Sequence, residues 1–145
     1  MVDLRAEREA AGLTQARLAE LAGIAPSNLS AYESGRRAAS PAMIARIRRA
    51  TVRPSDRLRA HRDEVARIVE RNGGRNPRVF GSVARGEDTP ASDLDLLVTV
   101  PPEAAWTFVS TGRELSELLG VHVDVVSEGG LKEKHRAILD EAVPL

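Results

Sequence analysis

The sequence predicts an α+β protein of two small domains, an all-helical N-terminal third and a small sheet flanked by helices. Residues 4–50 carry helical apolar patterns separated by glycine and proline signals. From residue 55 onward, short β-branched runs alternate with helical segments, which is typical of a sheet covered by helices. The helical pattern stops at Thr51-Val52-Arg53-Pro54, which predicts domains at 1–53 and 54–145.

The composition is that of a globular protein with an aliphatic core. Of 145 residues, 42% are hydrophobic, 29% are charged and only 3% are aromatic. The absence of cysteine excludes disulfides, thiolate catalysis and cysteine-ligated zinc, and it fits the cytoplasm, where we expect the protein to act. No apolar run approaches the length of a membrane span and no signal-peptide pattern opens the sequence, so no membrane partner is expected.

Charge is unevenly divided along the chain, although the net charge is zero. Residues 1–53 contain nine arginines and five acidic residues, a net of +4, and the remainder contains 12 basic and 16 acidic residues, a net of −4. A basic segment suits a polyanion, and an acidic segment suits a metal ion or a basic partner. Ordinary solvated faces would give the same imbalance, so motifs must decide between these interpretations.

Four helices are predicted in the N-terminal domain, over residues 4–11, 14–22 and 26–34 and from residue 41 onward. Each is bounded by capping residues, early prolines or glycine stops. These boundary residues are Gly12, Thr14, Gly23, Pro26, Gly35, Ser40 and Pro41.

The C-terminal domain is predicted to alternate between helices and strands. Helices are expected over residues 55–71, 81–85, 104–119 and 131–142, and strands over 78–80, 93–100 and 121–126. The last strand shows strict apolar alternation at residues 121, 123 and 125. Trp106 and Phe108 lie on a predicted helix, where we expect core packing rather than a platform for stacking a base.

The N-terminal helices carry a recognisable motif. Leu18, Ala19, Ile24 and Leu29 can form one small core, and Gly23 lies where the chain turns between helices. Leu-Thr-Gln at 13–15, Leu-Ala at 18–19, Ala-Gly-Ile at 22–24 and Tyr-Glu-Ser-Gly-Arg-Arg at 32–37 follow in order. With this spacing, residues 4–50 resemble the Cro/repressor-type helix-turn-helix family.

The resemblance implies that the helix at 26–34 enters the major groove of DNA, most simply that of the protein's own promoter. The residues implied to contact DNA are Gln15, Ser27, Asn28, Ser30, Arg36 and Arg37. Forked arginine donors suit phosphate, whereas short Ser and Asn side chains leave the operator sequence open. A homodimer is expected for a protein that reads two half-sites. A helix-turn-helix used only for protein contacts is the alternative.

Three aspartates are predicted to contribute carboxylates to one site. Asp93 and Asp95 are two residues apart at the start of a strand, so their side chains point the same way. Asp124 points away from Val121, Val123 and Val125 on a later strand, and a carboxylate on an apolar strand needs a ligand or a partner. Such carboxylates can hold two Mg²⁺ ions about 4 Å apart, which would neutralise a triphosphate.

A second cluster is predicted where the first strand turns into a short helix. Gly81 allows a phosphate to approach the backbone closely, Ser82 adds a hydroxyl donor, and Arg85 could reach a β- or γ-phosphate. A salt bridge from Arg85 to Glu87 or Asp88 is the ordinary alternative. His122 shares a face with Asp124, and we interpret it as packed or solvated rather than as a ligand.

Together the two clusters resemble a known enzyme family. Phe-Gly-Ser-Val-Ala-Arg-Gly at 80–86, Ser-Asp-Leu-Asp-Leu-Leu-Val at 92–98 and Val-Asp-Val at 123–125 resemble the minimal nucleotidyltransferases of the DNA polymerase β-like superfamily. The resemblance spans residues 55–145 and implies a small mixed sheet. It assigns phosphate binding to Gly81 and Ser82, and metal binding and catalysis to Asp93, Asp95 and Asp124.

Free-standing members of that family resemble antitoxins paired with HEPN-domain ribonuclease toxins. The resemblance implies Mg²⁺-dependent transfer of AMP from ATP to a tyrosine hydroxyl of the toxin, with the helix-turn-helix repressing the operon. One alternative is a transcriptional regulator whose transferase fold binds only nucleotide or partner, which the full carboxylate set disfavours. Another is a small-molecule adenylyltransferase related to aminoglycoside-modifying enzymes, which the lack of a further enclosing domain disfavours.

Overall fold

The computed structural model describes residues 2–145, which divide into two compact units. One unit comprises the residues up to Arg53 together with Thr89–Ala91. The other comprises Pro54–Asp88 and Ser92–Leu145. None of the helices in the described residues is both long enough and apolar enough to cross a bilayer.

The first unit is helical, and its helices begin where capping residues predict. They are α1 (Leu4–Ala10), α2 (Gln15–Ala22), α3 (Pro26–Glu33) and α4 (Pro41–Arg49). The side chains of Thr14 and Ser40 accept hydrogen bonds from backbone N–H groups of the first turns of α2 and α4. Gly23 ends α2 with a φ of +68°, a left-handed conformation that suits glycine. Leu18, Leu29 and Ile47 are fully buried between the helices.

The second unit is a four-stranded mixed sheet with helices. Its helices are α5 (Pro54–Ala60), α6 (Arg62–Arg71), α7 (Gly81–Arg85), α8 (Thr111–Leu119) and α9 (Ala137–Glu141). Its strands are β1 (Arg75–Phe80), β2 (Leu94–Thr99), β3 (Val123–Ser127) and β4 (Val143–Pro144), in the order β3-β2-β1-β4. β2 runs parallel to β3 and antiparallel to β1, and β4 runs antiparallel to β1.

The core of this unit lies against one face of the sheet. Leu94, Leu96 and Val98 alternate along β2 and are fully buried. They pack with Val65 and Val69 of α6 and with Leu115 and Leu119 of α8. Because side chains alternate across a strand, Asp95 points to the opposite face and is only partly buried. The apolar layer therefore fixes which side of the sheet carries the acidic residue.

Several predicted elements differ in detail from the structure. The helix expected over residues 55–71 is interrupted at His61, whose φ of −123° is outside the helical range, and becomes α5 and α6. The helix expected over 104–119 is α-helical only in α8, after two 3₁₀ turns (Pro102–Ala104 and Thr107–Ser110). The segment expected at 131–142 contains a 3₁₀ turn (Glu133–His135) and α9.

The 3₁₀ turns change the environment of two aromatic residues. Trp106 is 89% exposed, so the expectation that it packs in the core is wrong. Phe108 is partly buried against the core, as expected. A single α-helix over this segment would have pointed the two rings in other directions around the helix axis. The reason is that successive residues turn by about 100° in an α-helix and by about 120° in a 3₁₀ helix.

Candidate active site and nucleic-acid interface

Strand register brings two of the three predicted aspartates side by side. Asp95 of β2 is paired directly with Asp124 of the parallel strand β3. On its other side, Asp95 is paired with Phe80, the last residue of β1. Asp93 lies one residue before β2, two positions from Asp95, so the expected strand begins one residue later than predicted. The sheet thus gathers Asp93, Asp95 and Asp124 beside the start of α7.

The electrostatics of this cluster are those of carboxylates that repel each other. Burial raises the pKa of Asp95, and the charges of Asp124, Asp93 and Glu141 raise it further, while Arg85 lowers it. Carboxylate oxygens are the ligands that Mg²⁺ prefers, and a cation would reverse this repulsion. Asp93, Asp95 and Asp124 therefore fit a divalent metal ion by the chemistry of their donor atoms.

His122 lies closer to the carboxylate cluster than its sequence context indicated. Its side chain is exposed rather than packed, and its Nε2 atom lies 2.8 Å from Oδ1 of Asp124. That hydrogen bond and the charge of Asp124 raise the pKa of His122. Asp93, His122 and Asp124 each offer one ligand atom, all within 4.8 Å of one another. His122 is thus a member of the cluster that our sequence interpretation did not include.

Gly81 is required where β1 passes into α7. Its φ is +72°, a region that favours glycine. A Cβ atom there would also collide with the carboxylate of Asp95. The next residue, Ser82, is partly buried, and its carbonyl accepts a hydrogen bond from Glu87 N–H at 2.9 Å. The predicted phosphate-binding pair and the predicted metal ligands therefore adjoin each other.

Arg85 is held by two carboxylates. Its Nε donates to Glu87 Oε2 at 3.0 Å, and its terminal nitrogen donates to Glu141 Oε1. Arg85 therefore forms the salt bridge to Glu87 that the sequence offered as an alternative to phosphate binding. Asp88, the other partner considered, instead accepts a hydrogen bond from Ser55 N–H at 2.9 Å. Glu141 was not singled out in the sequence, because its distance of 56 residues from Arg85 conceals the contact.

The predicted DNA-contacting residues of the first unit fall into an internal and an external group. Gln15 donates through Nε2 to Glu33 Oε2 at 2.8 Å. Glu33 also pairs with Arg8, with Nε–Oε1 at 2.6 Å, and both side chains are largely buried. Burial tends to raise the pKa of Glu33, but hydrogen bonds from Arg8 and Gln15 outweigh it and lower the pKa. Gln15 thus helps to join α2 to α3, and this structural role does not depend on any contact with phosphate.

The external group lies at α3 and the loop after it. Arg36 donates to Ser30 Oγ at 3.4 Å, and Arg37 donates to Asn28 Oδ1 at 3.4 Å. Both arginines and Ser27 are exposed. The residues predicted to face the groove and those predicted to grip the backbone therefore lie on one continuous surface. Because both arginines are exposed, their guanidinium groups are accessible to phosphate, although Arg36 Nε also donates to Ser34 Oγ at 3.0 Å.

Comparison with known families accounts for both units. A family described as "Helix-turn-helix" matches residues 4–51, and a family described as "Nucleotidyltransferase domain" matches residues 58–144. A solved structure of a minimal nucleotidyltransferase superposes with a TM-score of 0.57 and 45% sequence identity. That superposition covers 63% of this chain and 95% of the other.

Curated relatives match about half of the chain. Protein adenylyltransferase MntA of Thermococcus cleftensis is 40% identical over 76 residues, which cover 52% of this chain and 74% of the relative. A protein of Methanocaldococcus jannaschii, provisionally named a protein adenylyltransferase, is 37% identical over 79 residues, covering 52% of this chain and 84% of the relative. The chain therefore belongs to the nucleotidyltransferase domain family and is a nucleotidyltransferase that also carries a helix-turn-helix domain.

Proposed function

We propose that the second domain transfers AMP from ATP to a hydroxyl group of a partner protein, specifically a tyrosine of a HEPN-type ribonuclease toxin. We propose further that the first domain binds the protein's own promoter as a homodimer, so that the protein is an autoregulated cytoplasmic antitoxin. The observation that carries the proposal is the register of Asp95 beside Asp124, next to the Gly81-Ser82 turn. Relatives named protein adenylyltransferases support the choice of AMP and of a protein acceptor.

In this proposal, each residue acts on a defined part of the reaction. Asp93, Asp95 and Asp124 would hold two Mg²⁺ ions, which supply charge neutralisation for the phosphates and for the incoming hydroxyl. Gly81, Ser82 and Arg85 would bind the phosphates of ATP. The acceptor oxygen forms a bond to the α-phosphorus while the bond from that phosphorus to the bridging oxygen breaks. The hydroxyl proton passes to solvent water, and pyrophosphate leaves with the electron pair of the broken bond.

The openness of the cluster favours a large acceptor. The side chains of His122 and Asp124 are 64% and 53% exposed. Asp93 is exposed as well, and β3 is an edge strand of the sheet. Catalytic groups at an exposed sheet edge can be reached by a side chain on the surface of another protein. A small substrate would instead be expected to occupy a concave pocket that buries most of its surface.

The enzymatic part is tested by label transfer. The full chain is incubated with α-labelled ATP, Mg²⁺ and the HEPN protein encoded beside it, and labelled protein is counted. Wild type should label the partner, and Asp93→Asn should not. Asp63→Asn is the matched control, because Asp63 is an exposed aspartate on α6, and it should label as wild type does.

The outcomes separate the main proposal from its alternatives. Transfer to a small molecule such as an aminoglycoside, with none to protein, would show the wrong acceptor class. ATP binding with no transfer to any acceptor would favour a regulator that only senses nucleotide. Equal labelling by Asp93→Asn would exclude the assigned metal site.

A further inference from the structure

The carboxylate of Glu141, the last residue of α9, bridges two groups assigned to nucleotide binding. Its Oε2 accepts a hydrogen bond from the Gly81 N–H at 3.2 Å. Its Oε1 accepts one from the guanidinium of Arg85. These two donors are separated by one turn of α7 and converge on a single acidic side chain. The contact joins the end of the chain to the turn where the phosphates of ATP are proposed to bind.

A carboxylate in this place resembles a phosphate in what it offers to the protein. Both are anions with several acceptor oxygens, and both suit a backbone N–H together with an arginine. The hydrogen bond from Arg85 and that from the Gly81 N–H lower the pKa of Glu141, so the group is ionised at neutral pH. A nucleotide phosphate and this carboxylate therefore need the same donors in the same charge state, and they cannot both have them.

The charge of Glu141 also acts on the neighbouring aspartates. It is one of the groups that raise the pKa of Asp95. Its negative charge adds to those of Asp93, Asp95 and Asp124 at the place to which a highly charged triphosphate must come. Since like charges close together repel, the carboxylate opposes ATP both by occupying donors and by its field.

We propose that Glu141 occupies the place of a nucleotide phosphate on Gly81 and Arg85, and that ATP binds only when this carboxylate withdraws. Glu141 thereby sets the affinity for nucleotide. This inference rests on the proposed nucleotide site, and it adds a residue that acts against binding rather than for it. Every other residue assigned to the site is expected to weaken ATP binding or catalysis when changed, so the sign of the effect identifies Glu141.

The surroundings of Glu141 allow such a withdrawal. Its side chain is 28% exposed, so it has solvent to move into. α9 is only five residues long and follows a 3₁₀ turn rather than a long packed helix. β4, which begins two residues later, is paired with β1 at only two positions. A change of side-chain rotamer is sufficient, because a glutamate carboxylate can turn away while the backbone pairing stays.

The test is the affinity for ATP of the full chain with Mg²⁺, measured by calorimetry. Glu141→Gln keeps the shape and can still accept from the Gly81 N–H, but it lacks the charge that competes for Arg85. We expect it to bind ATP about three- to tenfold more tightly than wild type, as expected for loss of a charged hydrogen-bonding competitor. Asp140→Asn removes the same charge from the neighbouring exposed residue of α9, and we expect a change of less than about twofold.

The outcomes distinguish this inference from the proposed function. If wild type binds ATP and Glu141→Gln binds it equally or more weakly, the inference about Glu141 is overturned and the proposed function is not. Weaker binding would make Glu141 a residue that positions Arg85. An equal gain in ATP affinity in Asp140→Asn would also overturn the inference, because the gain would then come from the net charge of this region rather than from the position of Glu141. No ATP binding by wild type or by any variant would overturn the nucleotide site itself. Circular dichroism and thermal unfolding of each variant confirm that the fold is retained.

Discussion

The two units arrange their charges in opposite ways. In the first unit, Arg8 and Glu33 form an ion pair whose side chains are 12% and 4% exposed, and Gln15 completes the contact. In the second unit, Asp95 lies among other carboxylates, and their charges add to burial in raising its pKa. A buried charge beside its opposite is neutralised within the fold, whereas like charges held close together with shifted pKa values are typical of functional sites. We therefore interpret the ion pair of the first unit as structural and the carboxylates of the second unit as the proposed metal ligands.

The largest expected effect comes from breaking the ion pair of the first unit. Arg8→Met leaves Glu33 buried with one neutral donor and also removes the hydrogen bond from Arg8 to Leu13 O. We expect the free energy of unfolding of this unit to fall by about 3–5 kcal/mol, as found when one partner of a buried pair is lost. Urea denaturation followed by circular dichroism measures the change.

The control for this prediction uses an ion pair on the surface of the same unit. Arg5 and Glu9 lie 3.1 Å apart with side chains 68% and 56% exposed. Arg5→Met should reduce the free energy of unfolding by less than about 1 kcal/mol. Similar small losses in both variants would show that the buried pair is not what joins α1 to α3.

In contrast to the buried ion pair, the carboxylate cluster should not lose stability when one of its charges is removed. Asp95→Asn removes a charge that its neighbours disfavour, so the midpoint of thermal unfolding should stay the same or rise. The proposed adenylyl transfer should nonetheless fall by about 100-fold or more, because losing a proposed metal ligand weakens the hold on the Mg²⁺ ions, whose charge would stabilise the transition state by several kcal/mol. Calorimetry and initial-rate measurements on the same preparation test both halves. A marked loss of thermal stability would identify Asp95 as a structural partner instead.

A smaller effect is expected at the exposed arginines of the first unit. Changing both Arg36 and Arg37 to alanine should weaken binding to promoter DNA by about tenfold. It should also reduce the slope of log affinity against log salt by about 2, if each arginine neutralises one phosphate. Titrations at several salt concentrations measure both quantities. Arg62→Ala, an exposed arginine of α6, serves as the control, and the same loss there would refute a specific role.

The smallest effect is the dependence of the first unit's stability on pH. The pKa of Glu33 is lowered in the folded protein, so its contribution to stability is fully present above the ordinary glutamate pKa of about 4.3 and is lost as pH falls through the folded value. Stability measured by denaturation should therefore be level near neutrality and decline below about pH 4.3. In Arg8→Met, that acid-dependent decline should be reduced.

Local signals made the first unit predictable to within a residue or two. Thr14, Ser40 and Pro41 mark helix starts through contacts no more than three residues away, and Gly23 marks a stop in the same way. Alternation on two strands also predicted which face each aspartate occupies, but the direct pairing of Asp95 with Asp124 depends on strand register, which alternation alone does not give.

The features missed by sequence reasoning depend on distant parts of the chain or on very short elements. The contacts of Glu141 with Gly81 and Arg85 span 60 and 56 residues, and nothing local to Glu141 indicates them. His122 was placed on the correct face, but its hydrogen bond to Asp124 depends on a rotamer that spacing does not specify. β4 contains two residues, too few to show a period.

The single tyrosine and the single tryptophan of the sequence fall in different units, Tyr32 in α3 and Trp106 between the 3₁₀ turns of the second unit. Tyr32 has the guanidinium of Arg37 5.7 Å from its ring centre, whereas Trp106 is 89% exposed. Each unit thus contains its own natural chromophore. Selective excitation of tryptophan would therefore report on the second unit alone, without any label.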